Sequence, residues 1–354
     1  VKAPEGYLVN TTLIHFVVDA TAVGKPEMVT TQPAGNAIAL ENYKGQAELT
    51  KVNEQAKPIP GAIFELVDKD GNLVAGYDHL VSDNNGKVKA TDLKPGSYRF
   101  IEKEAPSGYL LNSQTLPLFE IPDQAEGEPK IVDEDMNAEK LTAINYKGTA
   151  KLQKIASING KEVGLANAHF KIIDATSGDT VSGFEDLTSD AQGMVTAGGL
   201  SPGKYQFVEI SAAPGYVLNP TPSESFIIAE SFEGKPTIVN VGKFINFKGT
   251  IHLEKVDEKN HPLAGAIFQI IDMSDKREKV VSGYENLISG SNGKVSAPGL
   301  APGEYPLREI KAPPGYIINR NPIRFTIASQ SVKQPTLDLG YFVNKKGSVM
   351  MRKV

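Results

Sequence analysis

Lys51, Glu102 and Asn145 are the first members of a polar set that returns as Lys154, Glu209 and Asn246, and again as Lys255, Glu309 and Asn344. Side chains of a strand alternate between its two faces, so parity tells which residues share a face. Lys51 shares its face with Ala47 and Leu49, Glu102 with Tyr98 and Phe100, and Asn145 with Leu141 and Ala143. The later sets repeat this. Lys154 follows Ala150 and Leu152, Glu209 follows Tyr205 and Phe207, and Asn246 follows Phe244; Lys255 follows Ile251 and Leu253, Glu309 follows Tyr305 and Leu307, and Asn344 follows Phe342. All nine are expected to point inward. Burial disfavours the charged form of an amine and of an acid, which leaves a free-base nucleophile and a proton donor beside a carboxamide. The bland alternative is a structural ion pair with the Asn as its hydrogen-bond partner, since buried charges are normally paired.

Something must hold these groups in place, and the sequence offers only strands. No apolar pattern of helical period lasts ten residues. In the first unit, strands are expected at Ala47 to Val52, Ala62 to Asp68, Lys87 to Ala90, Tyr98 to Glu102, Leu116 to Ile121 and Leu141 to Tyr146. Turns separate them at Asp70-Gly71-Asn72, Asn84-Asn85-Gly86 and Leu93-Lys94-Pro95-Gly96, the last recurring as Leu200 to Gly203 and Leu300 to Gly303. So many short strands per unit read as a β-sandwich.

Gly45, Gly148, Gly249 and Gly347 open equivalent segments, spaced by 103, 101 and 98 residues. The expected repeats are 45–146, 147–247 and 248–345. Residues 1–44 read as the C-terminal part of a further repeat, because VKAPEGYLVN mirrors Lys103 to Asn112. Residues 346–354 read as the first strand of another, GSVMMRKV mirroring GQAELTKV. The counterparts of Asn53 to Glu102 are missing from these two ends taken together, so both ends read as truncated flanking repeats. At the junctions, Asn42 to Gly45, Asn145 to Gly148 and Asn246 to Gly249, one unit runs into the next almost without a linker, and the array is expected to form an extended rod.

Composition narrows the function. The chain has 354 residues, 40% hydrophobic and 22% charged, with a net charge of −5 and no Cys. A disulfide framework and thiolate metal sites are excluded. Interspersed charge of both signs argues against nucleic acid and against a polybasic membrane surface, and no apolar run is long enough to span a bilayer. His15, His79, His169, His252 and His261 occupy no equivalent places and show no metal spacing. Asp68 to Asn72 faintly resembles a calcium loop without its later ligands, and a hairpin turn is the better reading. No phosphate-cradling loop, no recurrent nucleophile–His–acid pattern and no cofactor motif is present.

The segments Glu102 to Tyr109 (EKEAPSGY), Glu209 to Tyr216 (EISAAPGY) and Glu309 to Tyr316 (EIKAPPGY) resemble the E-box of Cna B-type, SpaA-like prealbumin-fold domains. The Ala-x-Phe strand (Ala62 to Phe64, Ala168 to Phe170, Ala266 to Phe268) and the Leu-x-Pro-Gly-x-Tyr turn extend the likeness over essentially the whole chain. The resemblance implies an all-β tandem array of Ig-like sandwich domains from a stalk or pilus shaft of a Gram-positive surface protein. It further implies an internal Lys–Asn isopeptide bond in each repeat, assisted by the E-box Glu: Lys51–Asn145 with Glu102, Lys154–Asn246 with Glu209, and Lys255–Asn344 with Glu309. Here the neutral Glu would donate a hydrogen bond to the Asn carbonyl and then shuttle a proton to departing ammonia. Asn42 and Lys353 would be the partner-lacking equivalents. This is single-turnover self-modification rather than enzyme action on other molecules. Sortase, cell-wall peptidoglycan or other pilin subunits would meet regions outside this stretch, at an extracellular, wall-anchored location. Two departures stand out: Lys345 replaces the junction aromatic, and the proline of Ala212-Ala213-Pro214 is displaced by one place. Two other functions compete, repeats that themselves bind a host matrix protein or glycan, and an accessory sandwich of a hydrolase.

Overall fold

Alternation in the sequence becomes alternation in burial. Along Gly45–Asn53 residues are buried and half-buried in turn, and Lys87–Leu93 and Ile63–Asp68 repeat the pattern. The computed structural model describes residues 2–15, 40–132, 141–273 and 278–353, and these contain strands and turns but no helix. Two compact units divide the chain. One is built from the residues up to Gly148 with Gly199–Pro202 and Ala229–Thr237, the other from Thr149–Gly198, Gly203–Ile228 and the residues from Ile238 on.

In the first unit, Gly45–Asn53 lies between Thr142–Asn145, which runs parallel to it, and the antiparallel Lys87–Leu93. The facing sheet has the order Leu80–Val81, Ile63–Asp68, Gly96–Glu104, Phe119–Ile121. Leu49, Phe64, Leu66, Val88 and Phe100 fill the space between, essentially without solvent contact. The expected strand at Leu116 to Ile121 is confined to Phe119–Ile121. Val9–Asn10 pairs with Gln124–Ala125, and Leu111–Asn112 pairs with Ser231–Phe232.

The second unit uses the same plan twice. Gly148–Ile158 is flanked by the parallel Val239–Ile245, and Gly249–Val256 by the parallel Thr336–Val343. Their facing sheets centre on His169–Asp174 paired with Gly203–Ser211, and on Ile267–Asp272 paired with Gly303–Lys311. The two departures noted in the sequence are absorbed. Ile317 bridges Lys345 just as Leu110 bridges Tyr146 and Val217 bridges Phe247, and Glu209 keeps its register opposite Phe170.

The stretch read as the first strand of a further repeat is unpaired over its described residues. Residues 347–353 form no strand, and Val349, Met350 and Met351 are almost fully exposed. A strand needs a neighbour to receive its backbone hydrogen bonds, and no described segment pairs with this one.

The recurrent Gly that opens a repeat has a packing reason. A Cβ on Gly249 would sit 2.6 Å from both Cδ1 and Cγ2 of Ile327, and one on Gly45 would clash with Ile121. Only a bare backbone lets the first strand approach the facing sheet so closely. Gly249→Ala is therefore expected to destabilise its repeat by about 1–3 kcal/mol, as overpacking does, with partial recovery on adding Ile327→Val. Thermal unfolding of the three proteins checks this, and an unchanged midpoint for Gly249→Ala refutes it.

Candidate functional site

Register brings the Lys and the Asn together. Lys51 is opposite Ala143 on the parallel last strand, Lys154 opposite Phe244, and Lys255 opposite Phe342. In every repeat the Asn lies two residues beyond that partner, on the same inward face and one diagonal step from the Lys. Glu arrives from the other sheet. Glu102, Glu209 and Glu309 pair with Phe64, Phe170 and Phe268 of the Ala-x-Phe strand, each next to a register shift at the preceding residue of that strand. Such bulges bend a strand locally and re-aim its side chains.

All nine side chains are buried, and Lys51, Lys154 and Lys255 have no solvent exposure at all. Lys51 Nζ lies 3.4 Å from Glu102 Oε2, and Lys154 Nζ lies 3.3 Å from Glu209 Oε1. Lys154 also donates to the carbonyl of Phe244 at 3.2 Å, and Lys255 to that of Phe342 at 2.9 Å. Aromatic faces complete the enclosure: Phe64 is 6.0 Å from Lys51 Nζ, Phe244 is 4.7 Å from Lys154 Nζ, and Phe342 is 5.6 Å from Lys255 Nζ. Burial pushes the Lys51 amine down to about 8, against the opposing attraction of Glu102. The amines of Lys154 and Lys255 are lowered to about 8 for the same reason. Burial pushes the Glu102 carboxyl up to about 7, opposed by Lys51 and by the hydrogen bond from Asn145.

The carboxamide is turned differently from the sequence-based expectation. It is Nδ2, not the carbonyl oxygen, that meets the acid: Asn145 to Glu102 Oε2 at 3.2 Å, Asn246 to Glu209 Oε2 at 2.8 Å, and Asn344 to Glu309 Oε2 at 2.9 Å. The main-chain carbonyls of Leu110 and Ile317 accept from the same nitrogen in the first and third sets, and they draw it into this orientation. Oδ1 of each Asn and Oε1 of each Glu are buried without a hydrogen-bond partner. A buried carboxamide oxygen left so costs about 1–3 kcal/mol, whereas Glu209 Oε1 still has the Lys154 ammonium 3.3 Å away. The arrangement thus puts the potential leaving nitrogen against the acid and leaves the carbonyl oxygen unstabilised, a state with much to gain from rearrangement.

One supporting residue went unrecognised in the sequence beyond its place in a turn. The N–H of Lys51, Lys154 and Lys255 donates to the carbonyl of Gly86, Gly193 and Gly293 at 2.6–2.7 Å. These glycines have φ of +72° to +78°, and a Cβ on any of them would strike the carbonyl oxygen of the same Lys. An Asn-Gly signal marks the turn in the first and third repeats and Gln192-Gly193 stands there in the second, but only the structure shows that the turn clamps the backbone of the amine-bearing residue.

Asn42 is half-buried and Lys353 exposed. His169, half-buried, and His261, exposed, are partners of Asp186 and Asp257, and no cluster able to hold a metal ion occurs among the described residues. Asp68 caps its hairpin turn by accepting from the N–H groups of Asp70 and Asn72, both at 2.9 Å.

A family model described as SpaA, prealbumin-like fold domain, matches residues 45–135, 148–241 and 249–338. The matched spans include each Lys and Glu of the three sets and end before each Asn. The chain is similar to the trypsin-resistant surface T6 protein of Streptococcus pyogenes serotype M6, being 31% identical over 135 residues, 38% of this chain. It spans only 22% of that relative's length. Among solved structures, the Bacillus anthracis TIE protein is similar at 23% identity and a TM-score of 0.44, covering 86% of this chain and 52% of its own. BcpA, the major pilin subunit of Bacillus cereus, is similar at 20% identity and a TM-score of 0.36, covering 86% of this chain and 99% of its own.

The shifted groups predict an unusual pH dependence in Asn145→Ala, which keeps Lys51 and Glu102. Glu102 is raised in the folded state, so its contribution to stability is present at low pH and is lost as pH climbs from 4.5 through about 7. Lys51 is lowered, so its contribution is present at high pH and is lost as pH falls from 10.5 through about 8. Compared with the same variant carrying Lys51→Met and Glu102→Gln, the melting temperature of Asn145→Ala should dip between these windows and recover on both sides. A maximum near neutrality would contradict the assigned directions.

Proposed function

The chain belongs to the family of SpaA prealbumin-like fold domains, and from that premise we propose that it is a structural segment, stalk or pilus shaft, of a Gram-positive cell-surface protein whose repeats each close themselves with an amide bond. The bonds join Lys51 to Asn145, Lys154 to Asn246 and Lys255 to Asn344. One observation carries this reading: three times over, a buried Lys and a buried Asn stand one diagonal step apart on adjoining strands, with the Asn carboxamide hydrogen-bonded to a Glu from the facing sheet.

In each repeat the proton of the Lys ammonium first passes to the Glu carboxylate. With ordinary values of 10.5 and 4.5 that transfer would be uphill by roughly 8 kcal/mol; at about 8 and about 7, as in the first repeat, it falls to the order of 1 kcal/mol. The neutral Nζ then attacks Cγ of the Asn. The Nζ–Cγ bond forms and the Cγ–Nδ2 bond breaks, while the Glu carries one proton from Nζ to Nδ2 and ammonia departs. Glu is regenerated. Folding supplies the proximity, and no second substrate is acted on.

The product ties the first strand of a repeat to its last, so tension along the chain crosses the amide and bypasses the strands between. Closing a loop of about a hundred residues also stabilises the fold by roughly 4–5 kcal/mol on the chain-entropy model. Such a chain belongs outside the cell, where sortase, peptidoglycan or fellow pilin subunits would be met by other parts of the protein.

The intact mass of the chain is expected to lie three ammonias below that calculated from sequence. Glu102→Gln, Glu209→Gln and Glu309→Gln should each restore one, and peptide mapping should find Asn42 and Lys353 unlinked. An unshifted wild-type mass rejects the reading.

A further inference from the structure

Ten residues after each Glu stands another Asn: Asn112, Asn219 and Asn319, with Asn10 at the equivalent place near the start of the chain. Each folds its side chain into the same turn, Oδ1 accepting the N–H two residues on, from Thr12, Gln114, Thr221 or Asn321, at 2.9–3.1 Å. That turn aims main-chain and side-chain donors back into the repeat. The N–H of Asn219 donates to Glu209 Oε2 at 2.7 Å, and the N–H of Asn319 to Glu309 Oε2 at 2.8 Å. Nδ2 of Asn112 and Asn319 donates to the carbonyls of Ile144 and Val343, at 2.9 and 3.2 Å. Those carbonyls belong to the residues immediately before Asn145 and Asn344. Asn10 does the same at 2.7 Å to Glu41, which precedes Asn42.

We propose that this Asn is a positioning residue for amide formation, holding the Glu carboxylate with its main chain and the strand of the reactive Asn with its carboxamide; the proposal rests on the Lys–Asn reading above. In the second and third repeats Glu Oε2 takes two N–H donors, one from this Asn and one from the reactive carboxamide. Two donors on one oxygen stop rotation of the carboxylate. Its other oxygen, Oε1, accepts no hydrogen bond, and in the second repeat it lies 3.3 Å from Lys154 Nζ. In the second repeat the acid is thereby presented with one oxygen toward the leaving nitrogen and the other toward the amine, as a proton shuttle requires. In the third repeat one Asn makes both holding contacts, its N–H to Glu309 and its Nδ2 to the Val343 carbonyl, so Asn319 is the position at which the effect is greatest.

The test is a time course of cell-free synthesis of the full chain, quenched and digested, with the Lys255–Asn344 link quantified by mass spectrometry against the two other links as internal standards. Asn319→Ala should form the third link at least about tenfold more slowly, a penalty in keeping with misplaced reactants, while the first and second links form at their usual rates. Asn319→Asp keeps the turn acceptor but lacks the Nδ2 donor. If Asn319→Asp is also slow, the positioning role stands; if it restores the wild-type rate, the residue serves only the turn and the proposal is overturned. Wild-type rates in both variants overturn it as well. Should Asn319→Ala fail to fold, judged by circular dichroism, Asn319→Asp alone decides by the same rule. Absence of every link from the wild-type chain would instead defeat the Lys–Asn reading itself.

Discussion

Keeping an amine out of water between two apolar sheets is the constraint on which each repeat depends. An ammonium sealed inside a protein without partners costs several kcal/mol, so every structural element around it is recruited to relieve the penalty. The Glu must come from the facing sheet, because the apolar side chains of Ala47 and Leu49 occupy the rest of the Lys face. The carbonyls of Phe244 and Phe342 come from the last strand, and the rings beside Nζ seal off solvent. The groups that make the buried amine tolerable are the groups that would consume it. Stability and reactivity are here one arrangement.

The three repeats meet this constraint with different core residues. Where the last strand carries the small Ala143, the core of the first repeat is filled by Phe100 stacked on Phe119, with Phe64 edge-on to Phe100. Where it carries Phe244 or Phe342, that ring meets Phe170 or Phe268 edge-on. In the third repeat, Leu307 takes the place held by Phe100 and Phe207. The second repeat keeps Phe207 against Phe226 and Phe170 and adds Phe244, so volume is moved from one strand to another only between the first and third repeats; the polar set stays put throughout, which is how cores accept substitution without losing their fold. The constancy of Lys, Glu and Asn against such a changing background is hard to ascribe to packing.

Parity was enough to place all three groups inside, because a period of two leaves only two faces and one of them is plainly apolar. Parity could not reveal that Asn lies two residues past the partner of Lys, since strand pairing between distant segments is not written in either segment alone. It could not show the turned carboxamide either, for that depends on the carbonyls of Leu110 and Ile317, which come from the loop after the E-box. Residues 347–353 present the opposite case. Their likeness to a first strand is genuine, but a strand is a relation between segments, and none of the described segments supplies the other half. Asn112 and its equivalents were visible as the end of a repeated phrase; their donors became meaningful only when Ile144 and Glu209 were seen beside them.

The first and last strands of every repeat run side by side in the same direction. Chain enters at the start of one and leaves at the end of the other, so a stretching load draws the two in opposite senses along their common length. The backbone hydrogen bonds between them are then loaded in shear, all at once, rather than peeled one after another. The proposed diagonal cross-link between such strands would lie close to the line of pull, like a rivet through a lap joint, and would convert a seam that fails by sliding into one that fails only by breaking a covalent bond.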